Sequence, residues 1–585
     1  MKRRWTIILA LALGACADDA APDPDGGAAE PMDARVLADA AVTDAGQDSG
    51  PDGGDASVRD GDLTEDDGGS IDPATIPAPR PLGPASAHHV TSPDILFRWA
   101  LEEPATGARL EVCRDRGCVD VIERLDVTGD SARTLVPPDP GATSRVFHFR
   151  LTGMQDGVLG SATSPVWSFV VRGAVGLAAT ASWGPIVNDD GDRFADVAVG
   201  APAASAVRLY RGRSPAGTTP APDVRLDGST GLGHQVLALG DVDGDGFADL
   251  GITGDDALFV FRGRAGGLPA TASPADADAR LALGAEARAA AAGDVDGDGY
   301  ADLVVADDAG LRVYRGSTSG LMDGDTLPAS APGFGRALTG ACDVDGDGYA
   351  DVVVGGTQSA TVFRGSAAGL VPAGELGGSG GAGGYGAAVA CIGDVNGDGY
   401  PDVAVGAPAA HAVFVYHGGA AGLGGVASVL RKLPGDPGGG VTTFHAEDFG
   451  AVIAPAGDVN GDEIGDMVVV APTPQGMVTS GFIGYAFVYH GSTGGLPSSP
   501  PGASTAHRRA IGASVGFEAN RVTQGMGFGD LDGDGRDDLA VGTPFRNGGA
   551  GAAFVHLGTP DGIPFAAAWT LEDGALTGFG DAIGR

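Results

Sequence analysis

Asp241-Val242-Asp243-Gly244-Asp245-Gly246-Phe247-Ala248-Asp249 decides the reading of this chain. The pattern returns as Asp294-Val295-Asp296-Gly297-Asp298-Gly299-Tyr300-Ala301-Asp302, and further copies begin at Asp343, Asp394 and Asp458. Two less regular copies begin at Asn188 and Asp530, which makes seven, with starts 53, 53, 49, 51, 64 and 72 residues apart. We number these loops 1 to 7 in chain order. An apolar run follows each loop, such as Leu303-Val304-Val305 or Val403-Ala404-Val405. A second β-rich run then ends in Gly, three variable residues and another Gly, as in Val313-Tyr314-Arg315-Gly316 through Gly320-Leu321. Length variation falls largely between the second and third strands of the unit, where surface insertions belong. Such a period, with three or four short strands per unit, is the signature of propeller blades. One sheet of this size cannot bury both of its faces, whereas seven stacked around an axis can. The expected fold is all-β, with a seven-bladed β-propeller over residues 173–585.

Aromatic-Gly pairs precede several loops (Phe334-Gly335, Tyr385-Gly386, Phe449-Gly450). Gly-Ala-Pro or a near form follows others (Gly200-Ala201-Pro202, Gly406-Ala407-Pro408, Gly542-Thr543-Pro544). With these features the region resembles the FG-GAP repeats of the integrin α-subunit propeller and its bacterial relatives, over about 410 of the 585 residues. The resemblance implies a binding face built from loops on one side. Insertions around Thr473–Tyr485 and Thr543–Gly551 are the candidate segments for it.

The loops carry the chemistry of calcium. Ca²⁺ takes six to eight oxygen ligands, and Asp offers oxygen on a short stem. Position 1 is Asn188, Asp241, Asp294, Asp343, Asp394, Asp458 or Asp530. Position 3 is Asp190, Asp243, Asp296, Asp345, Asn396, Asn460 or Asp532, and position 5 is Asp192, Asp245, Asp298, Asp347, Asp398, Asp462 or Asp534. Gly at position 4, and usually at 6, lets the backbone curl; Arg193 breaks this in loop 1. Position 7 would lend its carbonyl whatever its side chain: Phe194, Phe247, Tyr300, Tyr349, Tyr400, Ile464 or Arg536. Position 9 returns a last carboxylate: Asp196, Asp249, Asp302, Asp351, Asp402, Asp466 or Asp538. Up to seven Ca²⁺ are expected. An EF-hand needs Glu at position 12, where this chain has Ile252, Val305, Val354 and Val405 inside the next strand. The competing account is plain Asp-Gly turns in hairpins without metal.

Charge supports clustering over a diffuse acidic surface. The formal balance is −40, of which 25 Asp lie at loop ligand positions. Residues 17–80 add 17 acidic and 3 basic side chains. No basic patch exists to contact phosphates, so a nucleic-acid partner is excluded.

Lys2, Arg3 and Arg4 precede a short apolar run, Trp5 to Leu13, that is too brief to span a bilayer and reads as a signal peptide. It ends Leu13-Gly14-Ala15-Cys16, which resembles a bacterial lipobox, so residues 1–16 are expected to be the signal and Cys16 the lipidated residue. An exported, lipid-anchored protein of the bacterial cell envelope follows. Residues 17–80, rich in Asp, Gly, Ala and Pro, are expected to be a disordered tether. Residues 81–172 alternate apolar and polar side chains, as in Val146-Phe147-His148-Phe149-Arg150-Leu151, and resemble a fibronectin type III or immunoglobulin-like β-sandwich. Cys113 and Cys118 are expected to pair across a hairpin. Cys342 and Cys391, just before loops 4 and 5, could bridge two blades or remain thiols.

No catalytic constellation emerges. Gly512-Ala513-Ser514-Val515-Gly516 matches a hydrolase pattern but does not join a strand to a helix. His417 and His490 share a repeat position with Arg211, Arg262, Arg315 and Arg364, which reads as a structural or solvent-facing strand end. The reading is a non-catalytic, calcium-binding propeller for adhesion or for protein or glycan recognition. The alternatives are a polysaccharide lyase or other hydrolytic enzyme, and a purely structural envelope protein. The ending, Thr577-Gly578-Phe579-Gly580-Asp581-Ala582-Ile583-Gly584-Arg585, resembles the opening of another repeat. It either supplies a strand that closes the ring or marks a truncation.

Overall fold

The computed structural model describes residues 71–83, 88–90, 94–136, 146–171, 186–192, 194–213, 219–228, 231–284, 287–377, 383–431, 448–471, 485–496, 508–511, 526–544, 549–564 and 566–584. The signal segment, Cys16, most of the tether, Arg193, the 512–516 motif and most of the 473–485 insertion lie outside them. The chain divides after Gly69, and all that follows concerns Ser70–Arg585. The described residues are almost entirely β, with four 3-10 turns of three residues each.

Two sheets make up the N-terminal part. One orders Arg80–Gly83, Asp94–Ala100 and Ser131–Leu135. The other is built around Val146–Gln155, Gly107–Cys113 and Val121–Thr128, with Trp167–Val171 on the far side. Alternation in the sequence becomes burial. Ile95, Phe97 and Trp99 point inward and share a core with Leu110, Val112, Phe149, Leu151 and Phe169. Phe97 meets Phe149 edge to face at 5.1 Å. Packing begins earlier than position 81. Pro73–Thr75 forms a 3-10 turn, and Ile76 is only 2% exposed. The tether expected over 17–80 therefore ends before residue 71. Ile71 and Ile76, set among Asp, Pro, Ala and Thr, give no strand or helix periodicity by which to see this. Cys113 and Cys118 are disulfide-bonded across the turn between two paired strands.

The repeats form seven sheets among the described residues; six are laid out in chain order, and sheet 1 adds Thr271–Ala272 at one edge and Ala582–Ile583 at the other. Sheet 3, for example, runs Arg288–Gly293, Asp302–Asp307, Gly310–Arg315 and Met322–Pro328, all antiparallel. Loops 2 to 7 each join the first strand of a sheet to its second, and loop 1 leads directly into Val197–Ala201 of sheet 1. The second strands are buried from end to end, as in Asp402–Ala407 and Asp466–Ala471, save Asp307 at the end of the one in sheet 3. A strand with apolar side chains on both faces needs cover on both. Seven apolar clusters supply it, each shared by neighbouring sheets. One unites Val197, Val199 and Tyr210 of sheet 1 with Ala540, Val555 and Trp569 of sheet 7. Aromatics of the aromatic-Gly pairs plug these seams; Phe449 is 1% exposed and stands edge-on to Phe487 at 5.6 Å.

The C-terminal half-repeat joins the first sheet. Ala582–Ile583 pairs antiparallel with Val197–Ala201, with Val199 opposite Ile583 and Gly200 opposite Ala582. Buried Arg208 of sheet 1 ties Asp573 at 2.9 Å, behind the last strand of sheet 7. First strands meet around one central cavity, lined among others by Leu237, Ala290, Gly340, Val389, Pro455 and Phe528 from six different sheets. Cys342 and Cys391 are disulfide-bonded, joining the first strands of sheets 4 and 5.

Candidate metal centres

Each loop is a chain of Asx turns. In loop 3, Asp294 Oδ1 accepts from the Gly297 N–H at 2.6 Å, and its Oδ2 accepts from Gly299 at 2.9 Å. Asp298 Oδ1 accepts from the Tyr300 N–H at 3.0 Å. Loops 2, 5, 6 and 7 repeat these bonds. Position 9 is held differently. Asp302 Oδ2 accepts from the Val295 N–H at 2.9 Å, and Oδ1 accepts from Gly316, at the end of the third strand, at 2.8 Å. All seven position-9 carboxylates do the same. That residue pins the loop to the sheet.

The donors suit a hard divalent cation. Three carboxylates offer oxygens within 4.8 Å of one another in five loops: Asp241, Asp243 and Asp249 in loop 2; Asp294, Asp296 and Asp302 in loop 3; Asp343, Asp345 and Asp347 in loop 4; Asp530, Asp532 and Asp534 in loop 7; and Asp189, Asp190 and Asp196 in loop 1. Burial pushes the Asp241 and Asp294 carboxyls up to about 7, and those of Asp351 and Asp402 up to about 8. Asp249, Asp302, Asp343 and Asp538 are likewise driven well up by burial, and neighbouring carboxylates add to it. Carboxylates crowded and desolvated in this way are paired with metal or neutralised by protons. A bound ion would be held by these oxygens and would supply the missing positive charge.

Loop 1 departs from the set. Asn188 donates its amide to the carbonyls of Asp192 at 2.9 Å and Phe194 at 2.7 Å. The expected Phe194 ligand oxygen is thus bonded within the loop. Asp189, absent from the expected ligands, joins the carboxylate group in place of Asn188, and the Arg211 guanidinium forks it at 2.8 and 2.9 Å.

Position 7 does more than lend a carbonyl. Its side chain covers the position-4 glycine of the preceding loop. A Cβ on Gly244 would lie 2.5 Å from the Tyr300 ring, and one on Gly346 would lie 2.9 Å from Tyr400. The series runs round to its start, since a Cβ on Gly533 of loop 7 would meet Phe194 of loop 1 at 2.7 Å. The strand-end arginines are not solvent-facing. Arg262, Arg315 and Arg364 place Nη1 at 3.0, 2.8 and 3.0 Å from Oδ2 of Asp243, Asp296 and Asp345, the position-3 residues. Their Nη2 groups donate to carbonyls in the turn of the next sheet: Ser319, Ala368 and Ala421. This explains the second Gly of the Gly-x3-Gly motif. Gly320 sits at φ +91°, and a Cβ there would lie 2.3 Å from Arg262 Nη2. Gly320→Ala is expected to cost about 1–3 kcal/mol, read as a lower thermal midpoint in excess calcium.

The N-terminal sheets seat on loops 3 to 6. Arg116, in the turn clipped by Cys113–Cys118, donates to the Gly348 carbonyl at 3.1 Å and lies over the Tyr349 ring at 4.1 Å. Trp167 donates to the Gly346 carbonyl at 3.4 Å, Arg80 lies over Tyr400 at 4.4 Å, and Arg98 pairs with Glu463. Arg116→Ala is expected to loosen this seat by about 1–3 kcal/mol. Hydrogen exchange should rise in the 113–119 and 344–350 peptides and stay unchanged in strand 351–355.

The family comparisons fall on these loops. An FG-GAP-like repeat model matches residues 190–252, 241–305 and 343–405, and an FG-GAP repeat model matches 386–427 and 524–556. This chain is an FG-GAP repeat protein. Similar relatives include integrin alpha-4 of Xenopus laevis, 30% identical over 175 residues, and integrin alpha-PS5 of Drosophila melanogaster, 32% identical over 174. A mouse phosphatidylinositol-glycan-specific phospholipase D is 32% identical over 166 residues. These matches take in 27–29% of this FG-GAP protein, which spans only 15–18% of the relatives' own length. No helix among the described residues is long and apolar enough to cross a membrane.

Proposed function

We propose that this FG-GAP protein is a calcium-stabilised, seven-bladed β-propeller, preceded by a fibronectin- or immunoglobulin-like sandwich, that recognises a protein or glycan ligand without catalysis. A lipid on Cys16 would hold it at a bacterial cell envelope, with the acidic tether spacing it from the membrane. One observation carries the reading: carboxylate loops recur in register at one end of every sheet, fastening each sheet to the next. Metal placed that way stiffens a scaffold instead of reacting with a substrate. The names of the integrin relatives point the same way.

The N-terminal sheets cover part of the loop end. The opposite ends of the second strands, with the insertions after Thr473 and Thr543, are thus the proposed ligand side. The test is the calcium-loaded protein on glycan and protein arrays. Saturable binding without turnover supports recognition. Bond cleavage would overturn it in favour of an enzyme, and loss of capture after grafting short turns in place of both insertions would locate the face.

A further inference from the structure

The strand-end residue and loop position 3 change together along the chain. Position 3 is Asp190, Asp243, Asp296 and Asp345 where the strand ends in Arg211, Arg262, Arg315 and Arg364. It is Asn396 and Asn460 where the strand ends in His417 and His490. We propose that the strand-end side chain is a charge compensator, matched to position 3 of its own loop, that sets the loop's affinity for a divalent cation.

The geometry gives the pairing a route. Position-3 Oδ1 accepts a loop N–H, as Asp296 does from Asp298 at 3.3 Å, which leaves Oδ2 for the guanidinium. Loops 2, 3 and 4 then hold four carboxylates and one paired arginine, and loops 5 and 6 hold three carboxylates and no arginine, so in fixed charge each nets −3; His490 Nδ1 lies 3.1 Å from Oδ2 of Asp466, the position-9 carboxylate. Glu463 at position 6 of loop 6 is outside this count because Arg98 pairs with it. Asp325 also meets Arg315, but it is 60% exposed and strongly screened by water. Loop 7 stands outside this pairing: its strand ends in Leu557, Arg536 inside the loop pairs with Asp534, and a fifth carboxylate, buried Asp537, accepts the Asp458 N–H of loop 6.

The simpler account makes the arginine a strut to the next sheet. The histidines separate the two accounts. A Cβ on Gly495 would lie 3.2 Å from the His417 ring, and one on Gly562 would lie 2.3 Å from His490, the contacts that Gly320 and Gly369 make with arginines. Histidine therefore fills the strut's place without its fixed charge. A strut alone gives no reason for Arg to become His where Asp becomes Asn. Ligand charge count is a main control on Ca²⁺ affinity, and it does give one.

The inference rests on the calcium reading, and its test keeps the two apart. Hydrogen exchange of the 394–402 peptide, followed in the full chain against free Ca²⁺, gives a midpoint for loop 5 alone. Asn396→Asp should lower that midpoint roughly tenfold, and His417→Arg should raise it by a similar factor. The double variant should return to within about twofold of wild type. All four side chains already occur at these positions in sibling repeats, so the variants fit the fold. Midpoints unmoved by either single change, in a wild-type loop that responds to Ca²⁺, overturn the compensator and leave the metal site standing. A wild-type loop that ignores Ca²⁺ overturns both.

Discussion

Chelation at pH 7.5 will lower the thermal midpoint of the repeat region by roughly 20 °C. A ligand at a hundred times its dissociation constant stabilises the folded state by about 2.7 kcal/mol per site. Five loops bring three carboxylates together, so their combined effect is on the order of 10 kcal/mol, comparable with the whole stability of a domain. The carboxylates cannot relax apart, because position 9 is pinned by two backbone bonds and position 1 closes the turn. Scanning calorimetry with calcium and with chelator reads the difference directly. Equal midpoints would remove metal from the account of this fold.

The same carboxylates fix the sign of the pH dependence. Burial raises Asp294 to about 7 and Asp351 and Asp402 to about 8, against 3.8 unfolded. Between about pH 4 and 8 the metal-free folded state holds more protons than the unfolded chain. Its stability therefore falls as pH rises through that window. Calcium needs the ionised form and displaces those protons, so the calcium-loaded folded state and the unfolded chain hold nearly the same number of protons above about pH 5, and its stability is nearly level over the rest of that range. Melting midpoints from pH 5 to 8 should fall with rising pH in chelator and stay nearly level in excess calcium. Parallel slopes would mean that the carboxylates are not the groups calcium neutralises.

The all-β class, the repeat length and the loop carboxylates were legible because they lie within nine consecutive residues and return in register. What was not legible lies across sheets. The seat of Tyr300 on Gly244 joins two loops 53 residues apart in start, and no pattern inside one copy shows it. The contact of Arg315 with Asp296 spans 19 residues and a whole strand pair. Its signal was present all the same, in the joint change of Arg to His and Asp to Asn, but it is visible only when repeats are compared position by position. Loop 1 departs from the other loops for a local reason. Asn188 keeps an oxygen, as its place in the pattern suggests, but its amide nitrogen donates to the Asp192 carbonyl and to that of Phe194, the carbonyl expected to face metal. The docking of Arg116 between loops had no signal in the repeat, because a disulfide-clipped turn from another part of the chain provides it.

Asp302→Ala will destabilise the protein more than Asp296→Ala, and only the first will do so in the presence of chelator. The pattern of alternating Asp treats the two as equal ligands, but their bonds differ. Asp302 is fully buried and accepts the Val295 and Gly316 N–H groups. Truncation leaves both donors in a site closed to water, at about 1–3 kcal/mol each. That loss, about 2–6 kcal/mol in all, does not depend on metal. Asp296 instead faces Arg315 and the other carboxylates of its cluster. Its truncation removes a ligand when calcium is present and relieves repulsion when it is not, so its effect should nearly vanish under chelation. Asp302→Asn should fall between, since its carbonyl oxygen can keep one N–H while its amide group faces the other. Urea unfolding of the three variants with calcium and with chelator separates these cases. If Asp302→Ala lost its effect under chelation as Asp296→Ala does, position 9 would be a ligand alone. The bonds that tie loop to sheet would then contribute nothing on their own.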